Sequence, residues 1–319
     1  MPFADIKGHD LQIGMLKSDL QAQSLAGAYL FSGQEGLGKY LAAITFAKAI
    51  NCLNSEGDAC GVCVSCRKID KGEHPDVHFL EPQEGSDALK VEDVRQLQRK
   101  VSLRPYEAKK NIVLIREAHC LTAEAANALL KTLEEPPEHA VFILTSSKQA
   151  LLFKTVISRC RIIRFAPLAR QALEEIMEND FGIEQPRAHF LGYFSEGRIG
   201  YALALRESDL LREKNRIIDE FALSPAGSAE TVKEKEDLRV VLNVLATWFR
   251  DIYMVKTGLP HSELINLDRR DELLGFINRY AWPALDSIMN TISESLFYLE
   301  RNVNTKLLLL NVRAQICQK

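Results

Sequence analysis

The sequence has little excess of either charge and no long apolar run, and each absence excludes a class of protein. Its 40 Lys and Arg residues nearly balance 43 Asp and Glu residues, which leaves a formal net charge of -3. This balance argues against a protein that coats nucleic acid by charge alone. No apolar run approaches the roughly 20 residues of a membrane-spanning helix. The apolar core of a secretory signal is also missing, because residues 1–20 contain Asp5, Lys7, Asp10 and Lys17.

These absences predict a cytoplasmic protein, and the remaining composition is that of an ordinary globular chain. The 319 residues are 46% hydrophobic and 26% charged, enough for two or three domains with cores of their own. Disulfides are not expected in a reducing compartment, where clustered cysteines more often bind metal.

Five short apolar runs in the first half of the chain predict a parallel β-sheet. Helical patterns at 39–51, 91–101 and 123–134 separate most of them, and Pro136 and Pro137 end the last one. Near-continuous apolar strands of this kind are typical of a sheet covered on both faces. We therefore expect a three-layer α/β domain, with strands at Ala28–Phe31, Val77–Leu80, Ile112–Ile115, Val141–Thr145 and Ile162–Phe165.

Beyond Phe165 the pattern becomes helical. Pro167 marks a hinge, and residues 168–205 have the periodicity of a small helical unit. A polar stretch at 223–236 predicts a loop, and long amphipathic patterns follow at 238–253 and 288–317. The C-terminal third is expected to be all helical.

A glycine-rich turn after the first strand has the order of a phosphate-binding loop. Gly33, Gly36 and Gly38 would bring backbone N–H groups to phosphate oxygens, and Lys39 would reach the same anion. The next residue is Tyr40, where a Ser or Thr hydroxyl would bind Mg²⁺. We expect a degenerate loop; whether it binds ATP stays open, as does the simpler interpretation of a tight turn.

The end of the third strand carries a second departure from metal-dependent hydrolysis. Arg116 stands where an Asp helps to hold Mg²⁺ in hydrolysing P-loop proteins, while Glu117 is retained. A fixed cation repels a divalent ion, the more so at low local dielectric. Because Tyr40 and Arg116 both affect the same ion, we predict that the chain does not hydrolyse ATP.

Four closely spaced cysteines predict a structural zinc site. Cys52, Cys60, Cys63 and Cys66 follow the spacing C-x7-C-x2-C-x2-C, which suits a closed tetrahedral site. Four free thiols at this density are the alternative interpretation.

An arginine near the fourth strand is a candidate for catalysis in trans. Arg159, in Ser158-Arg159-Cys160, follows a short helical turn, and an arginine at a domain edge can reach a neighbouring subunit's γ-phosphate. Most arginines are solvated surface residues, which is the alternative. The basic residues of 95–110 form either a nucleic-acid face or, because Glu92, Asp93 and Glu107 are interleaved, a solvated helix face.

Several sequence motifs together resemble those of a known family. Residues 1 to about 205 resemble the AAA+ subunits of the bacterial sliding-clamp loader, part of the DNA polymerase III holoenzyme. The likeness is closest to a subunit that does not hydrolyse ATP. It rests on Phe3-x-Asp5-Ile6-x-Gly8, the loop at 33–39, the cysteine cluster, Gly72-x-His74-Pro75-Asp76, the phrase at 121–137 and Ser158-Arg159-Cys160.

The resemblance implies a domain organisation. Residues 1–166 would form an AAA+ P-loop domain with a zinc module, 167–208 a small helical lid domain, and 209–319 an all-α collar domain for oligomerisation. In hydrolysing members a sensor arginine lies near 197–203. Here Gly200 takes that position, or Arg198 after a small shift in alignment.

The resemblance also implies partners and a role. The chain would join a hetero-oligomer with an ATPase paralogue and the delta subunit, and act on the sliding clamp and primed DNA through that complex. Arg159 would serve the neighbour's ATP. Two alternatives are an independent P-loop ATPase with an atypical metal site and a zinc-containing nucleic-acid-binding module.

Overall fold

The computed structural model describes residues 1–22, 24–82, 88–207, 210–223, 235–258, 260, 263–301 and 303–317. Two compact units are present. The first unit comprises Met1–Ala172 with Gly197–Tyr201, and the second comprises Leu173–Glu196 with Ala202–Lys319. The domain boundaries expected at 166 and 208 stay predictions. Within the described residues no helix is long and apolar enough to cross a membrane.

The first unit contains a five-stranded sheet in the order β2-β3-β4-β1-β5, and each neighbouring pair is parallel. Every residue of β1, β3 and β4 is buried, as near-continuous apolar strands of a doubly covered sheet should be. The sequence-based prediction of the sheet is confirmed. The strands are β1 Ala28–Ser32, β2 Val77–Leu80, β3 Asn111–Ile115, β4 Ala140–Ser146 and β5 Arg161–Arg164.

Two hydrophobic clusters lie on the two faces of this sheet. Alternate residues of β1 divide between them: Tyr29 and Phe31 join one cluster, Ala28 and Leu30 the other. Residues of α1 and α2 share the first cluster, and those of α4 and α5 share the second. The unit's helices are α1 Asp10–Gln21, α2 Lys39–Ile50, α3 Val64–Asp70, α4 Val91–Val101, α5 Ala123–Glu134 and the single turn α6 Lys154–Ile157.

The regular elements described in the second unit are all helices. A separate core is formed around Trp248, which is fully buried. The expected loop at 223–236 lies mostly outside the described residues. The helices are α7 Arg170–Phe181, α8 Gln185–Phe194, α9 Ile199–Glu207 (whose first turn belongs to the first unit), α10 Leu210–Ile217, a π-helical turn Ile218–Leu223, α11 Lys235–Lys256, α12 Arg270–Phe276, α13 Trp282–Glu300 and α14 Thr305–Cys317.

The last amphipathic pattern forms two helices rather than one. α13 ends at Glu300 and α14 begins at Thr305, within the stretch 288–317 that has a continuous pattern. The Asn304 side chain accepts hydrogen bonds from the backbone N–H groups of Lys306 (3.0 Å) and Leu307 (3.3 Å). An Asn at this position caps a new helix, because it satisfies N–H groups that have no partner in the first turn.

Candidate functional site

The glycine-rich loop joins β1 to α2 at the carboxyl edge of the sheet. Gly38 is the N-cap of α2 with φ of 82°, a left-handed conformation that favours glycine. At Gly33 a Cβ atom would lie 2.3 Å from the carbonyl oxygen of Phe165, so no side chain fits there. The backbone therefore has the strand, tight turn and helix order that the sequence predicts for a phosphate-binding loop.

The lysine of this loop is turned onto the loop itself. Lys39 is only 5% exposed, and its Nζ atom donates to the carbonyl oxygen of Gln34 at 2.7 Å. Burial lowers the pKa of Lys39, opposed by the nearby charges of Glu117 and Glu35. The Lys39 side chain thus stays at the loop, but its hydrogen-bond partner is a backbone carbonyl oxygen of that loop.

The two residues that depart from the hydrolytic pattern contact each other. The Arg116 guanidinium lies 5.0 Å from the centre of the Tyr40 ring, within cation–π distance. The same guanidinium pairs with Glu81, whose Oε2 atom is 3.3 Å from Arg116 Nη1. Burial raises the pKa of the Tyr40 hydroxyl, as does Glu81, whereas Arg116 lowers it. A ring and a guanidinium are therefore in contact at the two positions where Mg²⁺ ligands stand in hydrolysing P-loop proteins.

One carboxylate oxygen of Glu117 is held by neighbours that the sequence did not indicate. Its Oε2 atom accepts hydrogen bonds from the backbone N–H (2.8 Å) and hydroxyl (2.7 Å) of Ser147, and lies 3.1 Å from His119 Nδ1. Burial alone would raise the pKa of Glu117, but these hydrogen bonds and the charges of Lys39 and His119 hold it lower. No sequence pattern pointed to Ser147, because its approach to Glu117 depends on β4 lying beside β3.

The expected sensor position lies against the loop. Gly200 donates its backbone N–H to the carbonyl oxygen of Gly36 at 2.7 Å, and a Cβ atom at Gly200 would come within 2.9 Å of that oxygen. Arg198 stacks on the Tyr201 ring at 4.6 Å. Glycine is thus required at 200 by the close backbone approach, whichever residue aligns with the sensor arginine.

The four clustered cysteines come together as the spacing predicts. The sulfur atoms of Cys52, Cys60, Cys63 and Cys66 all lie within 4.8 Å of one another. Sulfur atoms on one tetrahedral Zn²⁺ at about 2.3 Å would be about 3.8 Å apart, and Cys60 and Cys66 are 4.0 Å apart. Hydrogen bonds from the backbone of Val62 and Cys63 lower the pKa of the Cys60 thiol to about 6, favouring the thiolate that a metal binds. The donor set fits a closed metal site.

The cysteine loop is fixed to the rest of the unit. Asp58 Oδ1 accepts from the backbone N–H of Phe3 (2.9 Å), and its other oxygen lies 3.5 Å from Lys17 Nζ. Asp70, at the end of α3, pairs at 2.7 Å with Lys48, whose side chain is almost fully buried. Cys52, Cys63 and Cys66 themselves belong to one of the two hydrophobic clusters. A metal here would therefore stabilise a loop that is part of the core.

The histidine-proline-aspartate phrase has a structural role. Asp76 is 5% exposed and accepts hydrogen bonds from the backbone N–H groups of Tyr106, Glu107 and Ala108 at 2.7–2.8 Å. Burial alone would raise the pKa of Asp76, and these three donors hold it below its usual range. His74 lies 3.7 Å from Glu107. Asp76 thus fixes the turn that precedes β3.

Arg159 lies at the surface between α6 and β5, and its partner was not predicted. The side chain is 27% exposed, and its Nε atom donates to Glu134 Oε1 at 2.8 Å. Nη2 contacts the same oxygen, and Nη1 donates to the carbonyl oxygen of Thr155 at 2.8 Å. Next to it, burial raises the pKa of the Cys160 thiol to about 12, which keeps that cysteine neutral. Only Arg159 of the tripeptide is thus placed to carry charge at the surface.

Comparison with known families agrees with this geometry. A family model described as DNA polymerase III, delta subunit, matches residues 8–169, about half of the chain. A second model, for the C-terminal part of that subunit, matches residues 222–316. The chain belongs to the DNA polymerase III delta-prime family. The family predicted from the sequence is confirmed.

Individual relatives carry the same names. The delta-prime subunit of Bacillus subtilis is 30% identical over 257 residues, which are 76% of this chain and 77% of that protein. The Escherichia coli delta-prime subunit is 28% identical over 83% of this chain and 80% of its own length. The E. coli tau subunit is 36% identical over 211 residues, 64% of this chain and only 32% of tau.

A solved structure shares the fold. A gamma subunit-related protein of DNA polymerase III from Thermotoga maritima has a TM-score of 0.51 and 16% identity, and the match covers 95% of this chain and 97% of that protein. At this identity the likeness supports the fold alone.

Proposed function

We propose that this chain is a non-hydrolysing subunit of the DNA polymerase III clamp loader, which supplies Arg159 to ATP bound by a neighbouring subunit. The single observation that carries the first part is the contact between Tyr40 and Arg116. Both stand where hydrolysing P-loop proteins hold Mg²⁺, and their contact brings a cation to the place that needs anionic and hydroxyl oxygen ligands. Magnesium also bridges the phosphates in hydrolysis, so its exclusion disables the step.

The remaining loop contacts support the same proposal. Lys39 donates to a carbonyl of its own loop, and Glu117 is held by Ser147 and His119. We therefore assign Gly33, Gly36, Gly38 and Lys39 to a degenerate phosphate loop.

In this proposal Arg159 takes part in ATP hydrolysis, although the degenerate loop does not. A guanidinium supplied in trans stabilises the negative charge of the phosphoryl-transfer transition state, and in other phosphoryl-transfer enzymes it contributes on the order of 10³–10⁵ in rate. Here the arginine lies at the surface of the first unit, away from the buried sheet. Relatives are named as delta-prime and tau subunits of one polymerase, which supports a hetero-oligomer with an ATPase paralogue and delta.

Each domain has a separate role in this proposal. Residues 1–166 present Arg159 and hold a structural Zn²⁺ through Cys52, Cys60, Cys63 and Cys66; 167–208 form the lid, and 209–319 join the collar of the complex. Because it does not hydrolyse ATP itself, the subunit stays comparatively fixed while the ATP-driven subunits move against it. Through the complex it helps to load the sliding clamp on primed DNA during replication.

The test compares the chain alone with the reconstituted complex. We expect no Mg²⁺-dependent phosphate release by the purified chain, with or without primed DNA; robust turnover would instead establish the independent ATPase. In the complex, Arg159→Ala should slow single-turnover phosphate release at the site that it serves by on the order of 10³-fold. Folding should change little, because exposed ion pairs contribute roughly 0–1 kcal/mol.

Arg164→Ala is the matched control for that substitution. Arg164 is exposed and ends β5, so its replacement removes the same charge from the opposite end of the strand that follows Arg159. It should leave phosphate release unchanged. If Arg159→Ala and Arg164→Ala behave alike, Arg159 is not the residue that acts in trans.

A further inference from the structure

The guanidinium of Arg159 is held in one orientation by its own chain. Glu134 Oε1 accepts from both Nε and Nη2, so the carboxylate contacts one edge of the planar group. Nη1 donates to the carbonyl oxygen of Thr155 at 2.8 Å and makes a longer contact of 3.4 Å with Ser158 Oγ. A guanidinium has five N–H donors. With the longer contact to Ser158, these hydrogen bonds use four of them, which leaves one donor on Nη2 for a phosphate.

The carboxylate that holds this edge is itself on a fixed element. Glu134 is the last residue of α5. Gln98 of α4 donates to the carbonyl oxygen of Ala128 (2.8 Å) and to Thr132 Oγ1 (2.7 Å), which ties the second half of α5 to its neighbour. A carboxylate at a helix C-terminus is disfavoured by the helix dipole, and the Arg159 cation offsets that cost.

We infer that Glu134 is a positioning residue, which orients Arg159 for the phosphate of the neighbouring subunit; the inference rests on the proposed function of Arg159. An unrestrained arginine loses side-chain entropy when it is ordered. Here that loss is largely incurred before the neighbour binds, and a correctly oriented donor requires less reorganisation in the transition state. Glu134 itself touches no substrate.

The experiment uses the reconstituted complex and single-turnover phosphate release with saturating ATP. Glu134→Ala should lower the rate constant by about 10- to 100-fold, the cost of a small misplacement of a catalytic group. In steady-state turnover of the same complex over a range of ATP concentrations, the KM for ATP should be unchanged, because the carboxylate does not bind the nucleotide. Glu134→Gln keeps an oxygen that accepts one hydrogen bond, so its rate should lie between those of Glu134→Ala and wild type.

Two further variants separate positioning from general damage. Glu135→Ala removes the adjacent exposed carboxylate, which makes no described contact with Arg159, and should behave as wild type. In an Arg159→Ala background, Glu134→Ala should cause no additional loss, since there is no guanidinium left to orient. An equal loss in both backgrounds would show a structural role for Glu134 and overturn the inference.

The outcomes also distinguish this inference from the proposed function. If Arg159→Ala releases phosphate at the wild-type rate, the proposed role of Arg159 fails and the positioning role fails with it. If Arg159→Ala is slow but Glu134→Ala is as fast as wild type, only the positioning role is overturned. A rate above wild type in Glu134→Ala would show that the carboxylate sequesters the arginine, which also overturns it.

Discussion

At the scale of single residues, the contact between Tyr40 and Arg116 explains why two departures occur together. A guanidinium at the end of β3 would otherwise lie against the start of α2, with Glu81 as its acidic partner among the described residues. The Tyr40 ring offers its negative face at 5.0 Å, an interaction of about 0.5–2 kcal/mol. A short hydroxyl side chain at position 40 could not provide that face. The side chains of Tyr40 and Arg116 therefore stabilise each other.

This pairing predicts that Mg²⁺ affinity can be restored only by changing both residues. In the double variant Tyr40→Thr/Arg116→Asp, a hydroxyl and a carboxylate replace the ring and the cation, as Mg²⁺ prefers oxygen ligands. We expect Mg²⁺ to strengthen ATP binding at least about tenfold in this variant, or about 1.4 kcal/mol. Mg²⁺ should have no such effect on wild type. Isothermal titration with and without Mg²⁺ measures the difference, and an equal Mg²⁺ effect in both proteins would contradict the assignment.

At the scale of elements, the proposed Zn²⁺ would hold the cysteine loop and α3 together. The loop has few apolar residues of its own, and its order comes from the four thiols together with Asp58 and Asp70. Structural Zn²⁺ contributes roughly 10–16 kcal/mol of apparent binding energy in small peptides. Four thiolates without a metal would instead repel one another.

We therefore expect about one Zn²⁺ per chain by elemental analysis, as one four-thiolate site predicts. Cys63→Ser should lose the metal and lower the thermal midpoint of the first unit, because Cys63 is also part of its core. Cys317→Ser is the matched control, since Cys317 is exposed at the end of α14. A metal-free wild-type protein with an unchanged midpoint would disprove the zinc assignment.

At the scale of the whole molecule, burial favours the neutral form of four histidines in the first unit, two of which are almost fully buried. His9 is 2% exposed with Nε2 2.8 Å from the carbonyl oxygen of Leu37, and His74 is 3% exposed. Burial is the largest cause that lowers the pKa of each of four histidines, namely His9, His74, His78 and His119. Below the ordinary value of 6.5 the unfolded chain therefore binds more protons than the folded one.

The free energy of unfolding of the first unit should consequently fall as pH decreases below 6.5. Stability increases with pH wherever the unfolded state binds more protons, so the loss extends down to the lowered native pKa values. Hydrogen exchange of amides in β1 and β4 reports opening of this unit. His9→Gln should show a shallower decrease than wild type. Identical pH dependence in the two proteins would exclude His9 as a contributor.

Much of this architecture could be predicted from local sequence. The five strands, the helices at 91–101 and 123–134, the glycine loop and the cysteine cluster were all placed from periodicity and spacing, and the structure has them there. Such features depend on neighbouring residues, whose pattern of apolar side chains and glycines restricts the backbone directly. The break between α13 and α14 was missed, although Asn304 is a local capping signal.

What the sequence by itself determined was therefore the family, the class of fold and the absence of ordinary metal ligands at positions 40 and 116. Only the tertiary structure decided which side chains contact one another. α2 packs over β4 and β3, which places Tyr40 beside Arg116, and α5 ends where Glu134 meets Arg159, a residue 25 positions away. Contacts of this range depend on strand order and helix packing, and these follow from burial of the whole apolar surface.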